Sequence, residues 1–196
     1  SSWYFLRFCD SRNSKMSFDK KKVDYWMPVD MYIGGAEHAV MHLIYARFFT
    51  KALRDLGYLK IDEPFERLFN QGMIHGVDGA VMSKSRGNVI DPLTIVNKYS
   101  ADALRLFLIS IASPDKDFIW NSNGFEGSWK FTNRVFAFFS NIKLKSSSKK
   151  IEHKLNKLIK EATICIENLQ YNLTIIKLRQ FFEVIEEERE ISRKDL

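Results

Sequence analysis

The stretch Pro28-Val29-Asp30-Met31-Tyr32-Ile33-Gly34-Gly35-Ala36-Glu37-His38-Ala39 leads through a glycine pair into His42-Leu43-Ile44-Tyr45-Ala46-Arg47-Phe48-Phe49. Val29 to Ile33 is short and apolar-rich, bounded by Pro28 and Gly34, which is the pattern of a buried strand. A helix is expected to follow over residues 37–56. Val40, Met41, Ile44, Tyr45, Phe48, Ala52, Leu53 and Leu56 recur at three and four residues, as a core-facing stripe does. Gly57 stands where a C-terminal cap belongs. A further strand is expected over residues 69–75. Strand, glycine turn, helix and strand together describe part of an α/β nucleotide-binding layer. Gly34-Gly35 lets backbone approach a ligand closely, although a tight turn explains the pair equally well. Glu37 sharpens the ligand reading, because a carboxylate just past such a turn can accept both hydroxyls of a ribose.

On the N-terminal side, residues 1–8 read as a strand end running into a short helix, and residues 11–22 as a polar, basic surface loop. On the C-terminal side comes Gly79-Ala80-Val81-Met82-Ser83-Lys84-Ser85-Arg86-Gly87-Asn88. An ammonium group, hydroxyls and glycine in one loop suit a polyphosphate. Lys84 supplies charge for phosphoryl oxygens, Ser83 and Ser85 supply hydrogen bonds, and Gly87 permits close backbone approach. The same residue types also make an ordinary solvated loop. Asp91 and Pro92 are placed to cap and start one helix, and Ser100 to cap the next, with Ala103, Leu104, Phe107 and Leu108 on its buried side.

Beyond Trp120 the pattern is wholly helical. One helix carries Val135, Phe136, Phe139 and Ile142. A second carries Leu155, Leu158, Ile159, Ala162, Cys165, Ile166 and Leu169, and a third Leu178, Phe181, Phe182 and Ile185. Residues 145–150, with three serines, form the expected loop between helices. Between Lys143 and Lys160 seven lysines face one glutamate. A solvated helix face explains that run, and phosphate contact with a nucleic acid is the alternative. The acidic run over residues 186–190 reads as a solvated face.

The chain has 196 residues, 45% hydrophobic, with 16 Phe and 4 Trp, enough for a substantial core. Its net charge of +6 fits a polyanionic partner without requiring one. Cys9 and Cys165 stand apart, so a disulfide framework or structural zinc site is not expected, and a reducing cytoplasm is the simpler setting. No apolar run reaches the ~18 residues of a membrane span. Glu37, His38 and His42 form a possible metal set on one helical face, but without a third strong ligand or its support. No bound metal is expected. His42 reads as a core or capping histidine.

Met82-Ser83-Lys84-Ser85, followed by Asp91-Pro92, resembles the KMSKS signature of class I aminoacyl-tRNA synthetases, with Val81 in place of the first lysine. Ser1-Ser2-Trp3-Tyr4 and the Pro28–Phe49 stretch narrow the resemblance to the leucyl-tRNA synthetase family. The isoleucine and valine enzymes usually carry Gly-x-Asp-Gln where this chain has Gly35-Ala36-Glu37-His38. The resemblance implies an α/β region followed by an all-α one: part of a Rossmann-type catalytic domain over residues 1–120, then a helical tRNA-binding bundle over 121–196. It implies a leucine–tRNA ligase using ATP with Mg²⁺, leucine and tRNA(Leu), with no membrane partner.

Residue by residue, it assigns phosphate stabilisation during catalysis to Lys84, Ser83 and Ser85. ATP and adenylate contacts fall to Gly35, Glu37, Met82 and Lys84, and the leucine pocket to Ser1, Tyr4 and His38. Tyr171-Asn172-Leu173-Thr174 resembles the opening of a helix in the family's bundle. The HIGH-type histidine motif and the editing domain of the family are not within the sequence, nor is the insertion that many bacterial enzymes carry before the lysine loop. The chain is therefore expected to be a piece of a longer enzyme, inactive alone. The alternative is a synthetase-derived module that binds nucleotide or tRNA without catalysis.

Overall fold

The computed structural model describes residues 1–142, 148–188 and 191–192. Two compact units divide the chain, Ser1–Gly72 and Met73–Leu196.

The first unit contains α1 (Tyr4–Cys9), α2 (Lys20–Trp26), β1 (Tyr32–Gly35), a 3₁₀ turn (Ala36–Val40), α3 (His42–Asp55) and β2 (Leu68–Gln71). β1 and β2 are parallel, with Tyr32 opposite Leu68 and Gly35 opposite Gln71. α3 supplies the crossover that a parallel pair requires. Phe5, Leu6, Val23, Met27, Ala46 and Leu59 form the core of this unit. Under it Asp10 is buried, and hydrogen bonds from Lys22 and Asn13 hold its carboxyl down to about 2.

Several expectations for this unit are corrected. Residues 1–3 form no strand. The basic stretch expected to be a loop over 11–22 becomes helical at Lys20, because Asp19 caps it by accepting from Lys21 N at 2.7 Å and Val23 anchors it in the core. The strand expected at 29–33 lies at Tyr32–Gly35, with Val29 reduced to a single bridge to Phe65, and Ile33 is 53% exposed.

The helix expected over 37–56 is interrupted at Met41 (φ −122, ψ −99), so only His42–Asp55 is α-helical. Its buried face is Leu43, Ala46 and Thr50, whereas Val40, Met41, Ile44, Tyr45, Phe48 and Leu56 are exposed. Arg47, Lys51, Arg54 and Asp55 give this helix a charged side, but its apolar arc is wider than the face this unit covers, so periodicity identifies a helix and leaves open which part of the arc is buried. Gly57 behaves as expected. It takes φ +78 while Tyr58 N donates to Leu53 O at 2.9 Å, closing the helix end.

The second unit contains β3 (Ile74–His75), a 3₁₀ turn (Lys84–Arg86), α4 (Pro92–Lys98), α5 (Ala101–Ser110), β4 (Phe118–Ile119), α6 (Ser122–Asn141), α7 (Lys149–Glu167) and α8 (Tyr171–Glu188). The single strand expected over 69–75 is instead β2 and β3, in two separate sheets. Met73 N leaves the ladder to donate to Asp117 Oδ1 at 2.8 Å, and β3 then pairs with β4 in parallel. The expected caps are present. Asp91 Oδ1 accepts from Leu93 N at 2.9 Å ahead of Pro92, and Ser100 Oγ accepts from Ala103 N at 3.1 Å.

Ala103, Leu104, Phe107, Trp120 and Phe125 make the α5–α6 core. The division expected after residue 120 thus falls inside this unit, where Phe125 of α6 packs with α5.

In the helical part, the apolar sets are partly re-phased. Phe136 is exposed, and α6 buries Phe125 and Ser128. On α7, Cys165 is buried with Ile151, while Ile159 and Ile166 are exposed. Leu169 lies beyond α7 at φ 58. α8 buries Phe182 and Ile185 as expected, together with Thr174 and Ile175. Residues 145–147 of the loop expected over 145–150, and 189–190 of the acidic run, lie outside the described residues; Lys149 and Lys150 belong instead to α7, which Ser148 caps.

Candidate functional site

In the first unit, β1, the 3₁₀ turn and the starts of α1 and α3 enclose a cavity of about 440 Å³. Ser1, Tyr4, Gly35, Glu37 and His38 all line it. Its walls also include Tyr32 and His42, which sequence reasoning did not assign to a ligand. Tyr4 Oη and Tyr32 Oη are 2.7 Å apart, and Tyr32 Oη lies 2.6 Å from His42 Nε2. The Tyr32 ring stacks on Phe65 at 3.9 Å between centroids, which fixes the middle of this chain. Burial, followed by the Tyr4 hydrogen bond, pushes the Tyr32 hydroxyl well above the ordinary tyrosine range. Burial, followed by the neighbouring His38, pushes His42 down, so its neutral form is favoured.

His42 Nδ1 is buried without a partner among the described residues. The position of Tyr32, three residues before the glycine turn, was the available signal for this wall. At residue 42, the i, i+4 spacing from His38 was the signal.

Glu37 folds back over the glycine pair. A Cβ placed on Gly35 would stand 2.3 Å from both carboxylate oxygens, so Gly35 leaves the space that this carboxylate occupies. His38 presents its ring edge to His42 at 6.2 Å, and its Nε2 is 3.9 Å from Glu37 Oε1. Adjacent residues thus offer an acceptor for hydroxyl groups and an imidazole wall. Among the described residues, no group of three or more His, Cys, Asp and Glu is arranged to hold a metal.

In the second unit the lysine loop is clasped at its base. Asn88 Oδ1 accepts from Ser83 N at 2.8 Å, while Asn88 Nδ2 donates to Asp78 at 3.1 Å. Asp78 Oδ1 also accepts from Ala80 N at 3.1 Å, and these bonds hold its carboxyl below the usual range. A Cβ on Gly76 would meet Asp78 Oδ1 at 2.7 Å and Asn88 O at 3.3 Å, so the clasp closes only over a glycine. Gly79 and Gly87 take φ +76 and +68, conformations that strain any other residue.

Met82 is half-buried against the α5–α6 core and ties the loop down. Ser83 Oγ and Ser85 Oγ are 2.7 Å apart. Lys84 is exposed, without an ion pair among the described residues. Asn88, Asp78 and Gly76 carry no role that the sequence alone reveals. The Asp-Gly at 78–79 was a readable turn signal, but the closing asparagine depends on contacts ten residues apart.

A cavity with an acidic residue at a glycine turn, on a parallel β-α-β unit, and a clasped lysine loop are the features of a class I synthetase. The family described as tRNA synthetases class I (I, L, M and V) matches residues 9–121, and the chain belongs to that family. Within it, the resemblance is to leucyl-tRNA synthetases. The leucine–tRNA ligase of Citrifermentans bemidjiense is 44% identical over 200 residues, covering 95% of this chain and 24% of the ligase. That of Geotalea uraniireducens is 59% identical over 136 residues, covering 69% of this chain and 16% of the ligase.

In structure, the chain is similar to the Agrobacterium radiobacter K84 agnB2 LeuRS, solved as a ternary complex with tRNA and LeuAMS. The TM-score is 0.86 at 34% identity, over 95% of this chain and 26% of that one. Mycobacterium tuberculosis methionyl-tRNA synthetase, bound by methionyl-adenylate, shares the fold with a TM-score of 0.66 at 15% identity. The α/β-then-helical fold and the leucyl-tRNA synthetase resemblance expected from the sequence are borne out. The chain spans about a quarter or less of the length of the relatives quoted.

Proposed function

We propose that this chain is the part of a leucine–tRNA ligase that recognises leucine and the adenosine of its adenylate, and that supplies the lysine acting on ATP phosphates. The observation that carries the reading is the gathering of Ser1, Tyr4, Gly35, Glu37 and His38 around one cavity. Ser1, Tyr4 and His38 form the leucine wall, with Tyr32 and His42 behind it. Tyr4, Tyr32 and His42 are linked by hydrogen bonds, and burial favours the neutral forms of Tyr32 and His42, so this backing presents shape rather than charge to an aliphatic side chain. Glu37, accommodated by Gly35, accepts the ribose hydroxyls.

The leucine carboxylate attacks the α-phosphorus of ATP, an acyl–phosphate bond forms, and the bond to pyrophosphate breaks. Lys84, with Ser83 and Ser85, stabilises the charge that moves onto the phosphate oxygens. Met82 anchors their loop and, being half-buried, keeps an edge for the adenylate. Mg²⁺ arrives with ATP as part of the substrate, held mainly by phosphates. Leucyl transfer to tRNA(Leu) follows, with helices α6–α8 on the tRNA side and residues 121–196 as the corresponding domain. A cytoplasmic setting accords with the two lone cysteines.

The test is ATP–pyrophosphate exchange by the full-length enzyme carrying this segment. Exchange driven by leucine and much less by isoleucine, valine or methionine supports the reading. Stronger exchange with any of those three overturns it.

A further inference from the structure

Helices α5, α6 and α8 of the second unit enclose a cavity of about 210 Å³, lined by Phe107, Ser110, Gly124, Ser128, Ile175 and Arg179. Arg179 is unusual within it. Its guanidinium lies over the Phe131 ring at 4.5 Å, and its Nη2 donates to Ser128 Oγ at a long 3.4 Å. No carboxylate pairs with it among the described residues. Its Nε is buried and without an acceptor there. Of the acids of α8, Glu186 pairs with Arg134 and Glu188 with Lys150, and Glu183, four residues on from Arg179, makes no ion pair with it among the described residues. The C-terminal turn of α5, at Ser110 and Ile111, also borders the cavity, and its carbonyl end favours a cation. That partial charge is weaker than a counter-ion, and no hydrogen bond joins it to Arg179.

Arg179 is half-buried, and its buried Nε–H without an acceptor is costly; a hydrogen-bonded anion is the ordinary way to satisfy such a group. The space is large enough for an oxyanion with some of its hydration. The planar guanidinium edge suits a tetrahedral oxyanion in geometry and charge; the Ser110 and Ser128 hydroxyls beside it donate to Phe107 O at 3.1 Å and Gly124 O at 3.3 Å, bonds they would release to join the anion. Burial alone lowers the Arg179 pKa, which agrees with a cation lacking compensation.

We infer that Arg179, with Ser128 and Ser110, forms a binding site for a phosphate-type oxyanion in the cavity between α5, α6 and α8. This site is separate from the leucine cavity and stands or falls independently of the proposed ligase activity.

The experiment is thermal unfolding of the full chain in chloride and in inorganic phosphate at matched ionic strength, for the parent, Arg179→Met and Arg179→Gln. The site predicts that phosphate raises the parent Tm by about 2–4 °C more than chloride, and that neither variant shows this increment. It also predicts that Arg179→Met, which removes an uncompensated charge, melts no lower than the parent in chloride. Should Arg179→Met fail to fold, Arg179→Gln and the parent's Arg179 Nε–H resonance carry the test, the latter shifting saturably with phosphate. An RNA oligonucleotide that competes with phosphate for this resonance identifies a phosphodiester as the source, whereas no competition identifies the free anion. An equal phosphate increment in parent and variants, or an Arg179 resonance that does not move, overturns the site.

Discussion

The cavity proposed to hold leucine and the lysine loop proposed to meet ATP are built in opposite ways. In the cavity, Tyr4, Tyr32 and His42 hydrogen-bond to one another, and burial holds both Tyr32 and His42 neutral. In the loop, Lys84 presents an exposed ammonium, while the rigidity lies beneath it in Asn88, Asp78 and Gly76. A wall that selects an aliphatic group benefits from fixed, uncharged groups, since a single methylene is worth only about 1–3 kcal/mol of discrimination. A group that meets charge appearing during reaction benefits from being an unpaired cation on a fixed base.

This contrast ranks the expected effects of substitution in the full-length enzyme. The largest falls on the loop: Lys84→Ala lowers leucine-dependent pyrophosphate exchange by about 10²–10³ with little change in the leucine KM. An unchanged rate would move the phosphate role to Arg86. Asn88→Ala leaves Lys84 in place but opens the clasp, and lowers kcat by about 10–10², as misplacement of a reacting group does. A rise in leucine KM with kcat intact would instead show that the clasp serves the cavity.

Smaller effects belong to the cavity. Tyr32→Phe strands His42 Nε2 and costs about 1–2 kcal/mol, read as a leucine KM raised about tenfold. An unaltered KM would mean that the hydroxyl chain is incidental. The smallest effect is that of pH. Because burial depresses the His42 pKa in the folded state, its contribution is complete above the unfolded value near ~6.5 and is lost as pH falls below that value. Stability should decline on that acid side in the parent and decline less in His42→Asn. The same slope in both would place the titration elsewhere.

Much of this was legible in the sequence, and the gaps have physical causes. Caps at Asp91 and Ser100, and the closing Gly57, were readable because they depend on neighbours within a few residues. The glycine turn with Glu37, and Lys84 between its serines, were readable as chemistry for the same reason. The phase of α3 was not, because its apolar arc is wider than the face that the unit buries. Asn88 escaped notice because its role is tertiary, with its amide reaching Asp78 and Ser83 across the loop. Tyr32 was read only as a strand residue, since its function rests on Tyr4 and Phe65, far away in the chain. The division between β2 and β3 depends on Asp117 capturing Met73 N, a contact forty-four residues long.

The central claim is that neighbouring residues Glu37 and His38 serve different ligands, the ribose and the leucine. Pyrophosphate-exchange kinetics on the full-length enzyme, with ATP and leucine varied separately, test it most directly. The account predicts that Glu37→Gln raises the ATP KM about tenfold with little change for leucine, through loss of a charge-assisted bond, and that His38→Ala does the reverse. Equal losses for both substrates in both variants would contradict it.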